Sequence, residues 1–139
     1  MQKKILVVGL GLIGASLCRS LKKNQRSNKI YGYDTNKDVM SYALQNDFID
    51  NIKEDLETGI KDSDVIVICV PVEKIANILN TAKNFFNTEK VFTDTLSVKS
   101  VILDYLIRNN LEKSNNFIMS HPMAGTENFG IENSCEDLF

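Results

Sequence analysis

The sequence has few of the residues that build disulfide frameworks and metal sites. It holds one histidine and three cysteines in 139 residues, and no two cysteines form a CxxC pair. An odd number of cysteines without ligand spacing argues against both a disulfide framework and a zinc site. Cys18 and Cys69 lie in apolar patterns. We therefore expect buried thiols in a reducing compartment, no metal, and a cytoplasmic protein.

Runs of like charge and long apolar runs are also missing. The formal net charge is -2, and no five consecutive residues carry the same charge. We therefore expect neither a nucleic-acid surface nor a membrane surface. The longest apolar stretches, near 5–15 and 64–72, are too short to cross a bilayer.

Short apolar runs alternate with helix-length patterns along the chain. Four of the five runs are rich in β-branched or aromatic residues, and the third is apolar almost throughout, which favours strands covered on both faces. The runs are 4–9, 29–34, 64–71, 90–94 and 116–121. Apolar residues at 3–4 spacing predict helices over 97–110 and 72–82, while 46–62 suggests a short strand near 48–52 and a short helix. The order predicts an α/β fold of the Rossmann type, doubly wound, with a mainly parallel sheet and helices on both faces.

The segment VVGLGLIGAS has the GxGxxG spacing after a strand-like run and before a helical pattern. In a dinucleotide-binding loop, Gly9 permits the tight turn, Gly11 lets the backbone approach a pyrophosphate, and Gly14 lets the helix pack against the strand. The start of the helix, at Leu12 and Ile13, would offer free N–H groups to the phosphates. The alternative is a glycine-rich turn without a ligand.

Asp34 ends the second run, 20 residues beyond Gly14. A carboxylate at that position accepts hydrogen bonds from ribose hydroxyls and repels a 2′-phosphate. The following TNK contains no arginine to hold such a phosphate. We therefore predict NAD rather than NADP as the cofactor. The alternative is that Asp34 only caps the next helix.

The carboxyl ends of parallel strands lie along one edge of a sheet, where ligands bind. Gly9, Asp34, Pro71 and His121 all lie at or just past predicted strand ends. His121 is therefore expected on the cofactor edge, and Pro122 biases it toward an extended conformation. Histidine also has an ordinary pKa near neutrality, which suits proton transfer. From the residues alone, a catalytic and a purely structural role both stay open.

Ser97 follows the fifth run and precedes an amphipathic pattern, which predicts a helix N-cap. An N-cap at this edge would still face a ligand. Asp94, at the end of the same run, is interpreted as a structural residue.

Five segments in this order and spacing resemble prephenate dehydrogenase: GLGLIGASL, GYDTN, VICVPV, DTLSVKS and SHPMAGTENFGIENSCEDLF. The SVK and HPMAGTE motifs distinguish that family from other GxGxxG dehydrogenases. The resemblance covers essentially the whole chain, as the family's N-terminal NAD-binding domain. Family members continue with a closing strand and a helical domain that dimerises and completes the substrate site. We therefore expect 1–139 to be a truncated Rossmann domain whose full-length chain is a homodimer.

The resemblance implies an NAD-dependent oxidative decarboxylation of prephenate to 4-hydroxyphenylpyruvate in tyrosine biosynthesis. Arogenate dehydrogenases share the motifs and yield tyrosine directly. The substrate is thus expected to be prephenate or arogenate, and this chain alone could be an NAD-binding module without turnover.

The resemblance also implies roles for individual residues. His121 would be the base that accepts the proton of the ring hydroxyl, and Ser97 would contact both that histidine and the nicotinamide region. Val70 and Pro71 match the loop that passes beside the cofactor.

Thr126 and Glu127 match positions that line the family's substrate pocket. The alternative for Glu127 is a solvated loop carboxylate.

Overall fold

Six parallel strands form one sheet in the computed structural model, which describes residues 2–24 and 28–139. The strands are β1 (Lys4–Val8), β2 (Lys29–Tyr33), β3 (Asn51–Ile52), β4 (Val65–Ile68), β5 (Val91–Asp94) and β6 (Phe117–Ile118). Their order across the sheet is β3-β2-β1-β4-β5-β6, and every neighbouring pair is parallel. This confirms the predicted Rossmann-type, doubly wound sheet.

Helices connect the strands and cover both faces. They are α1 (Leu12–Asn24), α2 (Lys37–Gln45), α3 (Leu56–Lys61), α4 (Ile75–Ala82) and α5 (Ser100–Arg108), with 3-10 turns at Val72–Lys74, Lys83–Phe85 and Ile131–Asn133. Two of the helices begin at side-chain caps: Asn36 accepts from the Asp38 amide, and Asp55 from the Thr58 amide. The short strand and helix predicted within 46–62 are confirmed as β3 and α3.

Apart from Lys4 at the start of β1, the central strands β1 and β4 are apolar because both faces of the sheet are covered. In β1, Leu6 and Val8 belong to one buried cluster, while Ile5 and Val7 belong to the other. The alternation follows from the period of two along a strand. It also explains why β1 and β4 show no alternation of apolar and polar residues.

Several predicted boundaries are wrong near the carboxyl ends of the strands. β4 ends at Ile68 rather than at residue 71, because ladder pairing stops after the Cys69 amide donates to Val8 O (2.7 Å) and Pro71 has no N–H. β6 stops at Ile118 rather than at residue 121.

The prediction that Ser97 caps a helix is also wrong. α5 begins at Ser100, and its N-cap residue is Lys99, whose side chain makes no capping hydrogen bond. The Lys99 ammonium instead bonds the Asp94 carboxylate and the Ser120 carbonyl, so the chain stays non-helical through Ser97 and Val98.

The expectation of buried thiols is confirmed in part. Cys18 is fully buried, Cys69 is partly buried, Cys135 is exposed, and all three are free. Burial raises the pKa of the Cys69 thiol to about 12, so this thiol stays protonated at neutral pH. In the described ranges, no helix combines the length and apolar character that a membrane span requires.

Candidate functional site

A cleft of about 1130 Å³ opens along the carboxyl ends of the strands. It lies where β1 separates β2 from β4, the point at which successive crossovers change direction. Ligands of open α/β sheets bind in that crevice. The walls come from the glycine loop, the segments that follow β2, β4 and β5, the helices α3 and α4, and the loop 124–130.

The three glycines of the loop occupy different surroundings. Gly9 has φ +92, and a Cβ there would lie 2.5 Å from the Cys69 carbonyl oxygen. A Cβ on Gly14 would lie 1.9 Å from the Gly9 carbonyl oxygen, so the α1 backbone rests directly on the turn. A Cβ on Gly11 would meet nothing within 4 Å, and Gly11 lines the cleft. The space above Gly11 is therefore free for a phosphate group, while Gly9 and Gly14 hold the turn and the packing.

Asp34 lines the cleft and also fastens the glycine loop. Its Oδ2 accepts from the Leu10 amide (2.8 Å), and its Oδ1 accepts from the Asn36 amide (2.9 Å). The cap of α2 is Asn36, which accepts from the Asp38 amide (2.9 Å), so Asp34 does not cap that helix. The bond to Leu10 spans 24 residues, and sequence reasoning missed it because no local pattern records such a contact.

Part of the cleft lining is acidic, which sequence reasoning also missed. Glu54, Asp55 and Glu57 line it from the start of α3, on the same cleft as Asp34. Lys74 is the lysine among the lining residues. A usable signal was the Asp55 cap followed by Glu57 in the first turn of α3, which together place carboxylates at a helix N-terminus on the strand-end edge.

The predicted cofactor residues divide into three groups. Those that line the cleft are Gly9, Gly11, Leu12, Ile13, Asp34, Val70 and Pro71. Gly14 is buried beneath the loop. Ser97 is exposed and is not among the lining residues, which instead include its neighbours Thr95 and Leu96.

The predicted catalytic and substrate residues lie on and beside the loop that follows β6. His121 is exposed, two residues beyond the exposed Met119, and does not line the cleft. Thr126 lines the cleft, whereas Glu127 is exposed and does not. The structure thus brings Ser97 and His121 to the ends of neighbouring strands, with both side chains at the surface beside the cleft.

The loop 122–130 crosses from β6 to the glycine loop. A Cβ on Gly125 would lie 3.6 Å from the Ile13 side chain, which measures how closely the two loops approach. Met123 and Phe129 are 87% and 84% exposed. Beyond the loop, the Cys135 amide donates to Ser16 Oγ (2.9 Å), so the following segment rests on α1.

Comparisons with known proteins find relatives that are similar in sequence and in fold. The sequence model of the family described as "Prephenate dehydrogenase, nucleotide-binding domain" matches residues 17–139. The prephenate dehydrogenase of Bacillus subtilis is 33% identical over 140 residues, which cover 100% of this chain and 38% of that protein. The chain therefore spans less than half the length of this curated relative.

Two solved structures are similar over nearly the whole chain. Prephenate dehydrogenase from A. aeolicus, in complex with hydroxyphenyl propionate and NAD+, has a TM-score of 0.84 at 30% identity, covering 98% of this chain and 47% of that one. Synechocystis arogenate dehydrogenase has a TM-score of 0.83 at 32% identity, covering 98% and 46%. A diketoreductase at 16% identity and a TM-score of 0.66 shares the fold alone.

Proposed function

This chain belongs to the prephenate dehydrogenase family, and from that membership we propose that its cleft binds NAD. The observation that carries the proposal is the cleft at the β1–β4 crevice, with open space above Gly11 and the Asp34 carboxylate in its wall. The residues present suit the group: the start of α1 faces the phosphates, and Asp34 keeps lone pairs for ribose hydroxyls. Asp34 and the other carboxylates that line the cleft disfavour an additional 2′-phosphate, which supports NAD over NADP.

For the full-length protein we propose oxidative decarboxylation of prephenate to 4-hydroxyphenylpyruvate. When bound, the dinucleotide supplies the hydride acceptor. His121 accepts the proton of the ring hydroxyl while a hydride leaves the ring carbon that bears this hydroxyl, so that the carbon–oxygen bond gains double-bond character. The bond to the ring carboxylate breaks, CO2 leaves, and its electron pair completes the aromatic ring. His121 then returns the proton to the phenol oxygen, so no net proton is consumed at the ring hydroxyl.

Ser97 is proposed to orient the imidazole and to touch the nicotinamide side of the site. The placement of Ser97 and His121 on adjoining strand ends supports this pairing. Thr126 and Glu127 are proposed to contact the substrate from the loop that crosses the cleft. Glu127 and His121 are both exposed, which leaves their side chains accessible to a substrate.

The remaining proposals concern the protein beyond this domain. We propose that a further, helical domain completes the substrate site and forms a homodimer. The greater length of the relatives supports the presence of a further domain. A cytoplasmic location and the lack of a nucleic-acid or membrane partner fit the small net charge and the free thiols. Arogenate is the second candidate substrate, since the arogenate dehydrogenase of Synechocystis is equally similar to this chain.

The experiment separates binding from turnover. Calorimetry with residues 1–139 measures the affinities for NAD and NADP, and a spectrophotometric assay of the full-length protein measures NADH formation with prephenate and with arogenate. We expect the domain to bind NAD more tightly than NADP, and the full-length protein to turn over one of the two substrates. A full-length protein inert with both would refute the proposed activity, and absence of NAD binding would refute the cofactor assignment.

A further inference from the structure

We propose that Asp94 and Lys99 are positioning residues that fix the strand end carrying His121 against the loop carrying Ser97. This inference rests on the proposed function, because that function assigns catalytic roles to His121 and Ser97. The strand-end cluster consists of Asp94, Lys99 and Ser120.

Asp94 is a fully buried carboxylate at the end of β5. Its Oδ2 accepts from the Leu96 amide (3.0 Å) and from the Lys99 ammonium, and its Oδ1 accepts from the Ser120 amide (3.2 Å). A buried carboxylate is costly unless it is paired and hydrogen-bonded, and here both conditions are met. One side chain therefore holds two separate segments of the site.

At Ser120, hydrogen bonds to side chains take the place of pairing between β5 and β6. Ladder pairing between β5 and β6 covers two residue pairs and ends at Thr93 and Ile118. Past that point, every polar group of Ser120 is bonded to a side chain of β5 or to Lys99, which lies just before α5. Its amide donates to Asp94, its carbonyl accepts from Lys99, and its hydroxyl lies 2.8 Å from Thr93 Oγ1. His121 is the next residue, so its backbone is fixed without any further strand.

The same cluster brackets the loop that carries Ser97. Asp94 precedes that loop, and Lys99, which follows it, reaches back to the carboxylate. Ser97 lies between them, flanked by the buried Leu96, whose amide is also bonded to Asp94. The loop is therefore closed at both ends by a single ion pair.

The position of Lys99 is unfavourable for its own helix. It is the N-cap residue of α5, where serine, threonine, aspartate or asparagine would satisfy the free amides. A positive charge at a helix N-terminus also opposes the helix dipole. Residues that break a local rule are expected at functional sites. The hydrogen bonds of Lys99 to Asp94 and Ser120 explain why a lysine occupies this N-cap position.

The test uses the sole histidine of the chain as a reporter. In 15N-labelled 1–139, the ring signals of His121 are unambiguous because no other histidine exists. Hydrogen exchange of the Ser120 amide reports the cluster directly. Calorimetry measures the affinity for NAD and so reports whether the glycine loop at the end of β1 is intact. None of the hydrogen bonds described above for the cluster reaches that loop. The variant is Lys99→Met, and Lys99→Arg is the conservative rescue.

Lys90→Met is the matched control. Lys90 immediately precedes β5, and its ammonium bonds two backbone carbonyls, those of Lys61 (2.8 Å) and Ser63 (2.7 Å). The control variant therefore removes a lysine that also makes two hydrogen bonds, but before the start of β5 rather than beyond its end. Because Lys99→Met leaves Asp94 buried and unpaired, the double variant Asp94→Asn/Lys99→Met removes both charges and serves if the single variant does not fold.

We expect Lys99→Met, or the double variant, to speed Ser120 amide exchange at least about tenfold and to shift or broaden the His121 ring signals, since local opening sets exchange. Lys90→Met should change neither, and Lys99→Arg should restore much of both. In the full-length protein, kcat should fall by about 10²-fold, the loss expected for a misplacement of about 1 Å. The KM for NAD should change much less, because the glycine loop and Asp34 keep their positions.

Two results would overturn the inference. One is a Lys99→Met protein, or double variant, in which the Ser120 exchange and the His121 signals match the wild type. The other is an equal change in Lys90→Met, which would show general loosening of β5. Failure of the wild-type domain to bind NAD would count against the proposed function and would leave the exchange comparison intact.

Discussion

Gly14→Ala should destabilise the domain, although helix propensity alone predicts the opposite. Alanine is favoured over glycine within a helix by about 1 kcal/mol. The added Cβ, however, would lie 1.9 Å from the Gly9 carbonyl oxygen and 3.2 Å from the Cys69 Cβ. The first contact is with backbone, so no side-chain rotation relieves it. α1 and the turn must move apart.

The size of the effect follows from the cost of overpacking. Forcing an extra methyl group into a packed site costs about 1–3 kcal/mol. Unfolding entropy of about 2.1 cal/mol/K per residue gives about 0.3 kcal/mol/K for a chain of this length, so the loss of Tm is about 3–10 °C. NAD affinity should fall in the same variant, because the moved turn carries the amides that we propose bind the phosphates.

Gly11→Ala is the matched control for this prediction. Its Cβ would meet nothing within 4 Å, so the Tm should stay within about 2 °C of the wild type, as for a substitution that disturbs no packing. It should still weaken NAD binding at least about tenfold, because the methyl group occupies the approach of the pyrophosphate.

Thermal unfolding followed by circular dichroism, together with calorimetry, measures both quantities in both variants. A Gly14→Ala protein as stable as the wild type would refute the packing argument. Unchanged NAD affinity in Gly11→Ala would refute the placement of the phosphates.

Three further predictions concern individual side chains. His121→Asn in the full-length protein should lower kcat by about 10²–10⁴-fold while NAD affinity in calorimetry stays nearly intact, and a variant keeping more than about a tenth of the rate would contradict a general base. Asp34→Ser should weaken NAD, relax discrimination against NADP and lower the Tm, because the Leu10 amide also loses its acceptor; an unchanged NAD to NADP ratio would contradict the ribose role. Iodoacetamide at pH 8 should modify the exposed Cys135 and spare Cys69, whose pKa of about 12 keeps the thiolate scarce until the pH approaches that value, as mass spectrometry of the folded and urea-unfolded chain can check.

The glycine loop and the alternation of strands and helices were predictable because each is recorded within a short window of sequence. The period of apolar residues gives β1 and α1, and the spacing of Gly9, Gly11 and Gly14 gives the turn between them. Asp34 was predictable as a residue of the cleft edge for the same reason, since it ends a run.

The contacts that shape the site lie between distant segments, and no local pattern contains them. The Asp34–Leu10 bond and the Asp94–Ser120 bond span 24 and 26 residues. Ser97 was predicted to be an N-cap because it is a serine between a strand-like run and an amphipathic pattern. The helix instead begins at Ser100, after Lys99, whose ammonium bonds the distant Asp94 carboxylate. Asp94 was interpreted as structural. It is fully buried, and its hydrogen bonds to both site segments became visible only in three dimensions.

The position of β1 in the middle of the sheet has a consequence for folding. The strand pairs with β2, about 25 residues away, and with β4, about 60 residues away. Loop closure makes the second pairing the slower one. On a ribosome, β1 therefore has one neighbour until residue 68 has emerged, and the crevice beside Gly11 does not exist before then. Cofactor binding can stabilise the finished domain, but it comes too late to guide the first half of the chain.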